Sequence, residues 1–180
     1  MLVRARAGAG DLALAHALLD GVDGFRWPDG GLTEAQVTEI RRLKSRMEHE
    51  RIPKGVPRER HLKLGPGGLS DVEWTVQLLQ LRHAHAHPEL RTPSTMRALA
   101  CLDRLGLVDG TQAERLSQAW RRASRLRNAI MLVRGRASDA LPSDTRDLAQ
   151  ISVLLGYESG AASGMVDDTR RLMRHALDVT

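Results

Sequence analysis

Apolar residues recur along most of this chain at the three- and four-residue spacing of amphipathic helices. Leu12, Leu14, Leu18 and Leu19 predict a short helix from Asp11, a candidate cap, to about Leu19. Gly21 to Gly31, with a Trp-Pro-Asp-Gly-Gly turn signal, reads as a loop. Thr33-Glu-Ala-Gln36 is a capping box that opens a helix to about Glu50, striped by Val37, Ile40, Leu43 or Lys44, and Met47. Ile52 to Glu59 reads as a loop. Leu69, Val72, Val76 and Leu79 then mark a central helix to about Ala86, and Trp74, Leu78 and Leu81 widen its apolar surface beyond one side. Ser94 caps a short helix ending at Gly106. Thr111 is the candidate cap of the longest helix, whose stripe is Ala113, Leu116, Trp120, Ala123, Leu126, Ile130 and Val133. Pro142 with Ser143 or Asp144 starts a further helix to Tyr157, and Met165, Leu172, Met173, Ala176 and Val179 stripe a final one. No segment alternates as a strand does. The expected fold is all-α: an antiparallel helical bundle of about six or seven helices, formed by residues 32–180, with residues 1–31 as an N-terminal segment carrying a short helix.

Composition narrows this picture. Aromatic residues make up only 3% of the 180 residues, so the core must come from Leu, Ala, Val, Ile and Met. Lys and Arg outnumber Asp and Glu by 27 to 22, and the net charge of +5 permits an anionic partner without requiring one. The single cysteine, Cys101, rules out an internal disulfide and fits a small core residue. No apolar run approaches the roughly 20 residues of a membrane span. No secretory leader is legible after Met1, and a cytoplasmic location is expected.

The chemistry concentrates before the central helix, at Arg60-His-Leu-Lys-Leu-Gly-Pro-Gly-Gly-Leu-Ser-Asp-Val-Glu-Trp74. Gly65, Gly67 and Gly68 allow backbone angles that a Cβ resists, and Ser70 with Glu73 reads as a capping box. A helix N-terminus with Arg60 and Lys63 just before it is an electropositive corner suited to a phosphate or carboxylate. The plainer reading is a tight connection whose glycines let helices pack closely. It is neither a P-loop nor a dinucleotide fingerprint, since no Gly-Lys-Ser/Thr and no preceding strand occur. His61 stands beside the loop, either near an anion or as a spacer. Asp71 and Glu73, two apart on a helix, point away from each other and do not readily share a metal ion. His83 and His87 share a helix face with the spacing of zinc ligands, but no third ligand stands nearby in sequence. The arginines of the longest helix read as a solvated surface; with so few aromatic residues and no recognition module, nucleic acid is not an expected partner.

The segment Lys63-Leu-Gly-Pro-Gly-Gly-Leu-Ser-Asp-Val-Glu-Trp-Thr-Val-Gln77 resembles the signature of glutamine synthetase adenylyltransferases, found in modified form in the related PII uridylyltransferases. Gly30 to Lys44, Leu90-Arg-Thr-Pro-Ser-Thr95, Ser124-Arg-Leu-Arg-Asn128 and Asp139-Ala-Leu-Pro142 agree with it. The resemblance covers nearly the whole chain and is strongest to the adenylylating half, nearer the C-terminus, of the actinobacterial enzymes. It implies the all-helical domain that follows a nucleotidyltransferase domain in an enzyme that transfers AMP from ATP, with Mg2+, to a tyrosine of glutamine synthetase. That family's catalytic Gly-Ser and Asp-x-Asp are both missing here, so the chain is expected to be an inactive fragment that holds no cofactor tightly, residues 1–31 being a remnant of the upstream domain or a linker from it. Implied partners are glutamine synthetase, the upstream nucleotidyltransferase domain and a PII-type protein. Lys63, Gly65, Gly67, Gly68 and Glu73 match the signature; with Arg60 they are the candidate nucleotide- or interface-binding residues, Glu73 placed to fix Lys63 or Arg60. The alternative is a regulatory or structural interaction bundle, sensing a PII-type protein or glutamine, that never meets the nucleotide.

Overall fold

The computed structural model describes residues 2–53 and 55–180. Among them are eight α-helices: α1 (Leu12–Gly21), α2 (Asp23–Arg26), α3 (Glu34–Arg51), α4 (Leu69–His83), α5 (Thr95–Arg104), α6 (Gly110–Arg134), α7 (Thr145–Leu154) and α8 (Ala162–Leu177). Short 3-10 turns lie at Leu2–Arg4, Arg58–Arg60 and Pro88–Leu90. The only β pairing among the described residues is one isolated antiparallel bridge, His61 with Ala140, so the all-α expectation holds. The single turn α2 lies inside the span expected to be loop.

Helix starts follow local side-chain chemistry. Asp11 accepts from the N–H groups of Ala13 and Leu14 at 2.9 and 3.1 Å. Thr33 and Gln36 exchange bonds reciprocally: Gln36 Oε1 accepts from the Thr33 N–H at 2.9 Å, and Thr33 Oγ1 accepts from the Gln36 N–H at 3.3 Å. Ser94 and Asp144 cap α5 and α7. The cap of α6 is Asp109 rather than Thr111. Asp109 Oδ1 accepts from the N–H groups of Thr111 and Gln112, and Thr111 already lies within the helix. On α3, Leu43 is exposed and Lys44 half-buried, so the stripe turns through Lys44.

Contacts divide the chain into two compact units, Met1–Lys44 with Glu73–Ala113, and Ser45–Val72 with Glu114–Thr180. In the first, Val37, Val76, Leu90, Leu99 and Leu102 are buried, and the buried Gln80 amide donates to the carbonyls of Leu90 and Thr92 at 2.6 and 2.8 Å. Those two bonds satisfy a polar group that would otherwise cost free energy to bury. In the second, Leu62 and Leu69 join Leu126, Ile130, Ile151 and Met165 in one apolar cluster, with Trp120 and Tyr157 packed at its edge. Of the predicted stripe of α6, Ala113, Leu116, Ala123, Leu126 and Ile130 are buried, and Trp120 and Val133 partly so.

Candidate functional site: the glycine-rich corner

Between the turn at Arg58–Arg60 and helix α4 the backbone folds back on itself. The Gly65 N–H donates to the His61 carbonyl at 2.7 Å, and those of Leu69 and Ser70 donate to the carbonyls of Leu62 and Lys63 at 3.0 and 2.9 Å. Around the His61 bridge the chain pairs with the segment at Ala140: the Leu62 N–H donates to Asp139 O at 2.7 Å, and the Leu141 N–H to Arg60 O at 2.9 Å. Such folding leaves no room for side chains. A Cβ on Gly65 would lie 2.3 Å from the Arg58 carbonyl oxygen, and one on Gly68 would lie 2.7 Å from that of Leu62. Gly67 has φ +68°, and its Cβ would stand 1.7 Å from the Met173 carbonyl oxygen of α8. All three glycines are therefore required by backbone approach within the second unit.

The electropositive corner expected at the start of α4 is filled by the protein itself. Asp71 Oδ2 accepts from the Gly67 N–H at 2.6 Å, and the N–H groups of Gly68, Leu69 and Ser70 already donate to loop carbonyls. Most of the N–H groups that would grip a phosphate there are thus engaged within the protein, and a carboxylate stands beside them. The capping box expected from Ser70 and Glu73 is likewise displaced. Ser70 is buried inside the first turn of α4, and Asp71 is the acid that reaches back.

The charged candidates go to separate tasks. The Arg60 guanidinium donates to the carbonyls of Leu141 and Pro142. Lys63 is exposed, and its ammonium has no hydrogen-bond or ion-pair partner among the described residues. Glu73 forms an ion pair with Arg4 at 2.8 Å. His61 is buried, and its Nδ1 accepts from the Leu64 N–H at 3.0 Å. Burial pushes its pKa below 6.5; Asp139 opposes this, while Lys63 and Arg127 add to it. Arg127 Nε approaches Asp139 Oδ1 to 2.6 Å, although the N–H is not aimed for a hydrogen bond. Three motifs distant in sequence thus meet: Arg60–Gly68, Arg127 and Asp139–Pro142. The sequence offered each piece but no sign that they touch.

A cleft of about 350 Å3 opens beside the corner. Pro57, Pro66 and Met173 supply its apolar lining, Arg60, Arg170 and Arg174 its cations, and Glu59 its acid. Arg170 and Arg174 were not among the sequence candidates; their i, i+4 spacing astride Met173 on α8 was the available signal. Elsewhere, no group of three or more His, Cys, Asp or Glu is placed to hold a metal ion among the described residues, the His83–His87 run included. Burial lowers the pKa of His83, and its neighbours Arg82, His87 and His85 lower it further.

The family model described as GlnD PII-uridylyltransferase matches residues 34–180. The chain belongs to this family. Similar proteins include the bifunctional glutamine synthetase adenylyltransferase/adenylyl-removing enzymes of Cutibacterium acnes, 54% identical over 175 residues, and of Streptomyces coelicolor, 52% identical over 178. That of Corynebacterium efficiens is 44% identical over 179 residues. These matches cover 97%, 99% and 99% of this chain but only 18%, 18% and 16% of the relatives. The chain thus spans less than a fifth of the length of the curated relatives it matches. In this member of the uridylyltransferase family the signature glycines serve close packing, and Lys63 is the signature residue that faces solvent.

Proposed function

We propose that this chain is the helical accessory domain of a glutamine synthetase adenylyltransferase, an enzyme that transfers AMP from ATP to a tyrosine of glutamine synthetase. The observation that carries this reading is the near-complete match of the chain to a small part of much longer adenylyltransferases. The domain belongs with the adenylylating half and follows its nucleotidyltransferase domain, which supplies the carboxylates for Mg2+ and ATP. The glycine-rich corner acts as a stiff, buried anchor that holds Lys63 outward toward that domain or its nucleotide. Glutamine synthetase is the protein substrate, and the location is cytoplasmic. Labelled AMP transfer from Mg·ATP to glutamine synthetase tests this. Activity is expected from a protein extended upstream by one domain and absent from the 180-residue chain. Transfer by the short chain alone would overturn the accessory role.

One observation favours a second reading, an interaction bundle that senses a PII-type protein or glutamine and touches no nucleotide. The N–H groups of Gly67, Gly68, Leu69 and Ser70 at the start of α4, the usual phosphate donors of such a corner, are engaged internally. Hydrogen exchange across residues 63–73 of the extended protein separates the two readings. Protection by nucleotide supports Lys63 facing the nucleotide of the upstream domain. Protection only by a PII-type protein or by glutamine supports the interaction bundle.

A further inference from the structure

We propose that the cleft between the loop at Pro57–Pro66 and helix α8 binds a small organic anion, a carboxylate or phosphate ester carried on an apolar body. Its volume, about 350 Å3, lies in the range of small-molecule sites, which run from roughly 300 to 1,000 Å3. Its lining holds three guanidinium groups and one carboxylate, so a site formally charged +2 surrounds the apolar surfaces of Pro57, Pro66 and Met173. Guanidinium groups grip carboxylate and phosphate oxygens through paired N–H donors, and the apolar lining rewards a hydrophobic group attached to the acid.

The three arginines are differently prepared. Arg60 is anchored by the Leu141 and Pro142 carbonyls through Nε and Nη2, which fixes its plane and leaves Nη1 without a hydrogen-bond partner among the described residues. The Arg174 guanidinium has no hydrogen-bond or ion-pair partner among them either, and it is exposed. Among the described residues Arg170 has only a long 3.6 Å contact with exposed Asp167, a pairing too weak in water to hold it against a better anion. Met173 lies between Arg170 and Arg174 along α8 and is buried where Gly67 meets its carbonyl oxygen, so the apolar part of the site rests on the packed corner. The site requires nothing of the accessory role and stands or falls separately from it.

The test is titration of the intact 15N-labelled chain with phenyl phosphate and with phenylacetate, using inorganic phosphate as the control, at low salt. Saturable shifts are expected at the amides of Arg60, Arg170 and Arg174 and at arginine Nε–H signals. At least one aromatic acid should bind about tenfold more tightly than inorganic phosphate, from burial of the ring. The exposed pair Arg170→Gln and Arg174→Gln should weaken binding about tenfold or more while other signals of the second unit keep their positions. The acid that binds identifies the head group. No saturation of either by about 10 mM, equal affinity for inorganic phosphate, or undiminished binding in the double variant would each overturn the site.

Discussion

Gly67→Ala isolates what the signature glycine does. The residue sits at φ +68°, where an L side chain strains the backbone by roughly 1–2 kcal/mol. Its Cβ would also stand 1.7 Å from the Met173 carbonyl oxygen, and backbone cannot swing aside as a long side chain does. Parting the loop from α8 in a close-packed unit costs a further 1–3 kcal/mol or so. The expected loss is therefore about 2–5 kcal/mol, a large share of the roughly 5–15 kcal/mol that keeps a domain folded. With a urea slope of about 1–3 kcal/mol per molar, the midpoint should fall by roughly 1 M or more.

Two companion variants separate the contributions. Gly135 has nearly the same backbone angle, φ +65°, with nothing within 4 Å of its Cβ position, so Gly135→Ala should show only the backbone cost of about 1 kcal/mol. Gly65 lies outside the left-handed region but would meet two carbonyl oxygens at 2.3 and 2.4 Å, so Gly65→Ala should show only the crowding. Urea unfolding followed by far-UV circular dichroism reads all three. A midpoint for Gly67→Ala equal to that of Gly135→Ala would refute the wedge against α8. Preserved stability with lost activity in the longer enzyme would instead return the glycine to a ligand-facing role.

Stability should fall as pH drops from 7 to about 5.5. His61 has a folded pKa below its unfolded value of 6.5, so the unfolded chain takes the proton first, and the protonated ring can no longer accept from the Leu64 N–H. His61→Asn should reduce the slope without abolishing it, since His83 is shifted in the same direction; a flat wild-type profile over that window would be the contrary result. Ile130→Ala, at a fully buried position, should cost about 2–5 kcal/mol, whereas Leu132→Ala two residues on, 76% exposed, should cost under about 0.5 kcal/mol; comparable losses in urea melts would contradict the assigned face of α6. Lys63→Ala in the extended enzyme should lower adenylyl transfer while leaving the melting temperature unchanged, because its side chain is exposed and unpaired among the described residues; unchanged kinetics would remove Lys63 from the site.

What could be read from the sequence was mostly what is decided within one turn of helix. Asp11, Thr33 with Gln36, Ser94 and Asp144 satisfy N–H groups two or three residues away, and the stripe of α6 needs only its own spacing. The sequence misleads where two local solutions compete. Ser70 with Glu73 and Asp71 with Gly67 both suit a helix start, and the choice falls to Asp71 because Ser70 is drawn inside the helix when its N–H meets the Lys63 carbonyl. Asp109 prevails over Thr111 in the same way, two residues earlier. The candidate site was legible only as a composition of residues. Gly67 is explained by Met173, Glu73 by Arg4, and Arg60 by carbonyls 81 and 82 positions away. None of these pairings leaves a local trace, because a glycine that admits a phosphate and a glycine that admits a backbone carbonyl are the same letter. The decisive evidence is the identity of the atom facing the missing Cβ. At Gly67 that atom belongs to α8, which turns a presumed ligand loop into a joint.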